Sequence, residues 1–172
     1  EQAKFMAVQK KIVAAIKAEN PKNLLDGIDE SIKTLPAMEE SLAPLKVTTL
    51  IKIGDEEKAL KFGQDLLQGR AANDWNYLNS LAWAVVDPES KAKPTPKLIQ
   101  FAVEAAKKGD ELEKGKNPAI ADTLAKAYFD AGDVAKALET QTRALENAKG
   151  TDFEGNEEMV ERLELYKKAA SK

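Results

Sequence analysis

The sequence predicts an all-α fold built from antiparallel helix pairs. Three observations carry this expectation. Aromatic residues make up only 6% of the chain, while Ala, Leu, Lys and Glu dominate, a mixture that favours helix over sheet. A Gly-Asp pair punctuates the chain at Gly54-Asp55 and again at Gly132-Asp133, each glycine standing five residues before an alanine, Ala59 or Ala137. A Leu-Ala pair recurs at Leu81-Ala82 and Leu124-Ala125, 43 residues apart (124 − 81).

The first helix spans 2–19, with Phe5, Val8, Ile12, Ala15 and Ile16 on one face and Lys4, Lys10, Lys11 and Lys17 elsewhere. Asn20-Pro21 ends it and opens the next, whose stripe is Leu24, Leu25, Ile28, Ile32 and Leu35. Gly27 weakens that helix by about 1 kcal/mol relative to Ala. Together 1–35 read as an N-terminal hairpin. A second pair covers 37–68. Its first helix has Leu42, Leu45, Leu50 and Ile53 as candidate core, and Pro44 either kinks it or marks its first turn. After Gly54-Asp55, Glu56 and Glu57 place negative charge where the helix dipole favours it, and Ala59, Leu60, Phe62, Gly63, Leu66 and Leu67 follow.

The third pair covers 74–108. Asp74 caps a helix over 75–87, a polar loop at 88–94 carries Lys91 and Lys93, and Thr95-Pro96 caps and starts a helix with Leu98, Ile99, Ala102, Ala105 and Ala106. The fourth, 117–148, is the most informative. Asn117 is a good N-cap and Pro118 suits the first helical position. Ile120, Leu124 and Tyr128 make one stripe; Gly132 can take the left-handed conformation that stops the helix, and Asp133 can cap the next. Small Ala125 and Ala137 allow close backbone approach. A last amphipathic helix, 156–170, carries Met159, Val160, Leu163, Leu165 and Tyr166, as a terminal cap with a polar outer face.

Leu124-Ala125, Tyr128, Gly132, Ala137 and Ala144 resemble a tetratricopeptide (TPR) repeat in their spacing, with Ala121 and Gln141 where large residues are usual. The resemblance implies a right-handed α-solenoid of about nine helices, one helical-repeat domain over 1–172. The run Leu78 to Trp83, then Asp87-Pro88, Asp122 to Tyr128, Gly132-Asp133, Ala137 and Gln141 is similar to the C-terminal helical region of bacterial thioredoxin-like (redoxin) proteins. That resemblance covers about 37–148. It implies docking or scaffolding beside a redox domain, outside the cytoplasm and so periplasmic, or a homodimer. With no Cys and no βαβ pattern, no redox site carries over.

Composition narrows the chemistry. Cys and His are both absent, which removes thiol chemistry, thiolate zinc sites and imidazole general bases. No cofactor and no metal is expected: Asp110, Glu111 and Glu113 have the wrong order for a calcium loop, and Glu154, Glu157, Glu158, Glu161 and Glu164 read as a solvated face. Net charge is −3 without a long basic run, which argues against nucleic acid, and no apolar stretch is long enough to span a membrane. The chain opens on Glu1 with no signal-peptide pattern, which reads as a processed or excised product.

The expected function is therefore non-enzymatic binding of a protein or peptide segment. In the register implied by the TPR resemblance, Asn79, Trp83 and Val86 line the concave face of one repeat. Asp122, Lys126 and Phe129 line it in the next, and Thr48 and Ile51 in the preceding one. Asn79, Trp83, Asp122, Lys126 and Phe129 are the candidate partner contacts, aromatic burial supplying most of the affinity. Two readings of Trp83 stay open here, packing between repeats or contact with a ligand. The row does not reproduce the Lys/Asn/Arg clamp that TPR domains use on chaperone C-termini, so such binding is not expected. The alternative is a spacer or dimerisation appendage.

Overall fold

The computed structural model describes residues 2–90 and 93–172; of Gln2, Arg70 and Ala71 only the backbone is described. Lys91, assigned above to the 88–94 loop, lies outside the described residues. Among the described residues there are nine α-helices and no strand: α1 (Gln2–Lys17), α2 (Pro21–Thr34), α3 (Glu39–Lys52), α4 (Glu56–Gln68), α5 (Trp75–Val86), α6 (Pro96–Leu112), α7 (Pro118–Asp130), α8 (Val134–Ala148) and α9 (Glu157–Ala170). Short 3₁₀ turns, Pro36–Met38 and Arg70–Asn73, lead into α3 and α5.

Local chemistry sets the helix ends. The side chains of Asn20, Asp55, Asp74, Asn117, Asp133 and Asn156 each accept a backbone N–H from the first turn of the helix that follows. The two Gly-Asp turns are copies of each other. Gly54 and Gly132 sit at φ +82° and +84°. Asp55 N donates to Leu50 O at 2.9 Å, and Asp133 N donates to Tyr128 O at 2.9 Å. A left-handed residue there satisfies carbonyls the helix would otherwise leave unpaired, and glycine adopts it without a Cβ clash. Thr95 differs from expectation. Its side chain caps nothing, and its own N–H donates to Glu56 Oε2 at 3.1 Å, tying the long turn back to α4.

The helices stack as a solenoid. The helices pair α1 with α2, α3 with α4, α5 with α6 and α7 with α8; α5 also packs on α3 and α7, α7 on α6, and α9 closes the array against α8 and α7. A continuous apolar core runs from Ala43 and Val47 on α3, through Leu78, Leu81 and Val85 on α5 and Leu98, Phe101 and Ala105 on α6, to Ile120 and Leu124 on α7. Close approach requires one glycine, Gly63, and crowds a second, Gly109. A Cβ on Gly63 would lie 2.5 Å from the tip of the Phe101 ring, and one on Gly109 would lie 3.1 Å from Ile120 Cδ1.

Two expectations are corrected, and one open alternative is resolved. The buried face of α3 is Ala43, Val47, Leu50 and Ile51, whereas Leu42, Leu45 and Ile53 are only partly buried. α2, α4 and α5 all pack on α3, and Thr48 donates to the Ala84 carbonyl of α5 at 3.3 Å. Of the two places open to Pro44, the helix interior is the one it takes, and the Pro36–Met38 turn supplies the entry to α3. On α9, Met159 and Tyr166 are buried, but Val160 and Leu165 are 43% and 49% exposed.

Candidate partner-binding cleft

The helix at the end of the array decides what the candidate row can do. α9 begins as α7 does, on an Asn N-cap, and it packs chiefly on α8 while touching α7. Met159 of α9 joins Ala121 and Ala144 in one small core, and Tyr166 joins Ala125 and Ala137 in another. Only small residues on α7 and α8 leave room for these two side chains. That explains Ala121 at a position where a repeat usually carries a large residue.

Gln141, the other departure from the repeat pattern, is completely buried and fastens the same junction. Its Nε2 donates to Asp122 Oδ1 at 2.7 Å and to the Met159 carbonyl at 2.9 Å. Asp122 is only 7% exposed. It also accepts two bonds from Arg162 of α9, from Nε to Oδ1 at 2.9 Å and from Nη2 to Oδ2 at 2.7 Å. A fork of this geometry makes a strong ion pair. Burial works against the Arg162 charge, but the hydrogen bonds and charge of Asp122, with Tyr166 and Glu158, keep its pKa raised. The same guanidinium lies 5.7 Å from the centre of the Trp83 ring, in cation–π range, so Arg162 bridges α5, α7 and α9.

The five candidate residues therefore separate. Phe129 stacks on Tyr166, ring centroids 4.5 Å apart, and Asp122 is held by Arg162 and Gln141; both are taken up by α9. Lys126 is paired along its own helix with Asp130. Asn79 is partly buried, with Oδ1 enclosed and unpaired among the described residues. The related positions Ile51 and Val86 are buried in the core. Trp83 is half-buried and faces an open cleft.

That cleft, of about 490 Å³, lies between the C-terminal end of α5 and α9. Trp83, Pro88 and Leu165 give it apolar wall; Asp87, Glu89, Glu158 and Glu161 give it carboxylates; Arg162 forms part of the floor. The Arg162 charge is already matched by Asp122, so the remaining field of the described lining is negative. Glu158, Glu161, Arg162 and Leu165 follow each other at spacings of three, one and three, which places them on one face of α9. That spacing is readable in the sequence, but only the docking of α9 shows which face it is. Asp87 is fixed by a turn in which its Oδ1 accepts the Glu89 N–H at 2.8 Å. Among the described residues no group of three acidic side chains is placed to hold a metal ion, and no helix is long and apolar enough to cross a membrane.

No protein-family model matches the chain, and no curated protein matches it. Its architecture does have a counterpart among solved structures. A thermophilic TPR protein from Thermus thermophilus superposes with a TM-score of 0.62 over 96% of this chain and 82% of its own, at 16% sequence identity. The fold is that of a TPR-like helical solenoid.

Proposed function

We propose that this array is a non-enzymatic protein-interaction module whose cleft between α5 and α9 takes a cationic segment of a protein partner. The observation that carries this reading is the half-open Trp83 beside four carboxylates, Asp87, Glu89, Glu158 and Glu161, over an arginine already neutralised by Asp122. A Lys or Arg side chain lying along Trp83 would bury its methylene stem on the ring and present its charge to the rim. Of the expected contacts, Trp83 is the direct one in this reading. Asn79 and Lys126 do not line the cleft, while Asp122 and Phe129 act through α9.

Trp83 supplies its own reporter. In a Trp75→Phe variant it is the remaining tryptophan of the two in the chain. Titration with a short Lys/Arg-containing peptide should shift its emission, and the shift should weaken as salt screens the rim. Trp83→Ala should retain its helical circular dichroism and lose peptide binding. Binding unchanged in Trp83→Ala would refute the assignment.

The alternative, a scaffolding appendage beside a thioredoxin-like domain, draws on the residue pattern from Leu78 to Trp83 and from Asp122 to Tyr128. It predicts that the cleft is covered by the neighbouring domain, so that Trp83 emission would be insensitive to added peptide in the joined protein.

A further inference from the structure

The N-terminal helix has an apolar row that no other element covers among the described residues. Val8, Ile12 and Ala15 are buried, and α1 packs on α2. On the adjoining face Met6, Val13 and Ile16 are 53%, 49% and 50% exposed. Met6, Gln9, Lys10, Val13, Ala14 and Lys17 line a shallow depression there. The charge of this face is of one sign: no acidic residue occurs from Gln2 to Ala18. Lys11 pairs with Glu30 of α2, but Lys4, Lys10 and Lys17 make no ion pair among the described residues.

The opposite end of the array carries the complementary surface. The cleft offers Trp83 and Leu165 between Asp87, Glu89, Glu158 and Glu161. We infer that the α1 helix of a second copy occupies this cleft, so that the chain associates head to tail. This rests on the segment-binding reading above and names its partner. Met6 and Val13 would meet Trp83 and Leu165, while Lys10 and Lys17 reach the carboxylate rim. The helix is 16 residues, about 24 Å at 1.5 Å per residue, and is already folded on α2, so docking orders no new backbone. A molecule does not fill its own cleft, because α1 and α9 cap opposite ends of the stack. Pairing α1 with α1 would instead bring lysines of two copies together. A head-to-tail contact leaves one free α1 and one free cleft at the ends of each assembly, so it extends with concentration.

Sedimentation of the full chain tests this. The weight-average mass should rise with concentration and fall back with added salt. Lys10→Glu/Lys17→Glu should weaken the association about tenfold or more, and Glu89→Lys/Glu161→Lys should do the same, since each places like charges in contact. All four positions are exposed, so folding should be retained in both variants. Mixing the two variants restores opposite charges at every contact and should restore the association. A concentration-independent monomer would overturn the inference, yet leave the Trp83 peptide titration free to succeed. Association lost in the α1 variant but untouched in the cleft variant would also overturn it, as would monomer that binds anionic phospholipid vesicles through Lys10 and Lys17.

Discussion

Arg162 is where a single substitution should be most informative. Its side chain and that of Asp122 are 13% and 11% exposed, close to a buried ion pair. Removing one partner of such a pair costs about 3–5 kcal/mol, because the remaining charge is left desolvated. Arg162→Ala leaves Asp122 with Gln141 as its only donor among the bonds described, and the lower end of that range, about 3 kcal/mol, is expected. Asp122→Ala should cost less. The freed guanidinium already has Glu158 at 3.5 Å and borders the open cleft. The Asp122→Ala/Arg162→Ala double variant should be well short of additive, with a coupling of about 2 kcal/mol. In a solenoid the damage should stay near the end of the array. Hydrogen exchange of α9 amides should therefore accelerate by about 100-fold, while α3 and α4 change little. Urea unfolding followed by circular dichroism, with exchange measured in parallel, reads both quantities. Additivity within about 0.5 kcal/mol, or a cost for Arg162→Ala below about 1 kcal/mol, would refute the account of this junction.

Two further predictions concern the core. Gly63→Ala should destabilise by about 1–2 kcal/mol despite alanine's better helix propensity, because its Cβ would overlap the buried Phe101 ring; thermal unfolding would show it, and a rise in Tm would contradict it. The Tyr77 hydroxyl is enclosed without a partner among the described residues, and burial, then Glu40 and Glu39, push its pKa up to about 12. Both states hold the phenol proton below about pH 10. Above that the unfolded chain releases it first, so stability should fall between about pH 10 and 12, by about 2–3 kcal/mol from this group. Tyr77→Phe should lose that part of the decline and be at least as stable at neutral pH. An unchanged alkaline limb in denaturant titrations would contradict the environment described.

Much of the fold is legible in the sequence because its determinants are local. Asn117, Asp133 and Asp74 cap the helices they precede, and Gly54 and Gly132 take left-handed turns, since these choices depend on a few neighbouring backbone groups. Ile120, Leu124 and Ala137 are core residues as their spacing requires. The buried row of α3 is not legible there, because Leu42 and Leu45 are as apolar as Val47 and Leu50. Which row faces inward depends on how α2, α4 and α5 pack around the helix.

The site divides along the same line. Sequence alone determines the all-α repeat architecture, and the repeat register brings attention to Trp83. It also marks Ala121 and Gln141 as departures. Only the tertiary structure decides what those departures are for. Ala121 leaves room for Met159, and Gln141 bonds Asp122 and the Met159 carbonyl, so α9 settles over Asp122 and Phe129. That docking joins residues 40 positions apart (162 − 122) and draws Glu158, Glu161 and Leu165 to the cleft beside Trp83. Caps and turns are fixed by contacts within a few residues. Whether a side chain lines a cleft or a core depends on which distant helix covers it, and no local spacing carries that information.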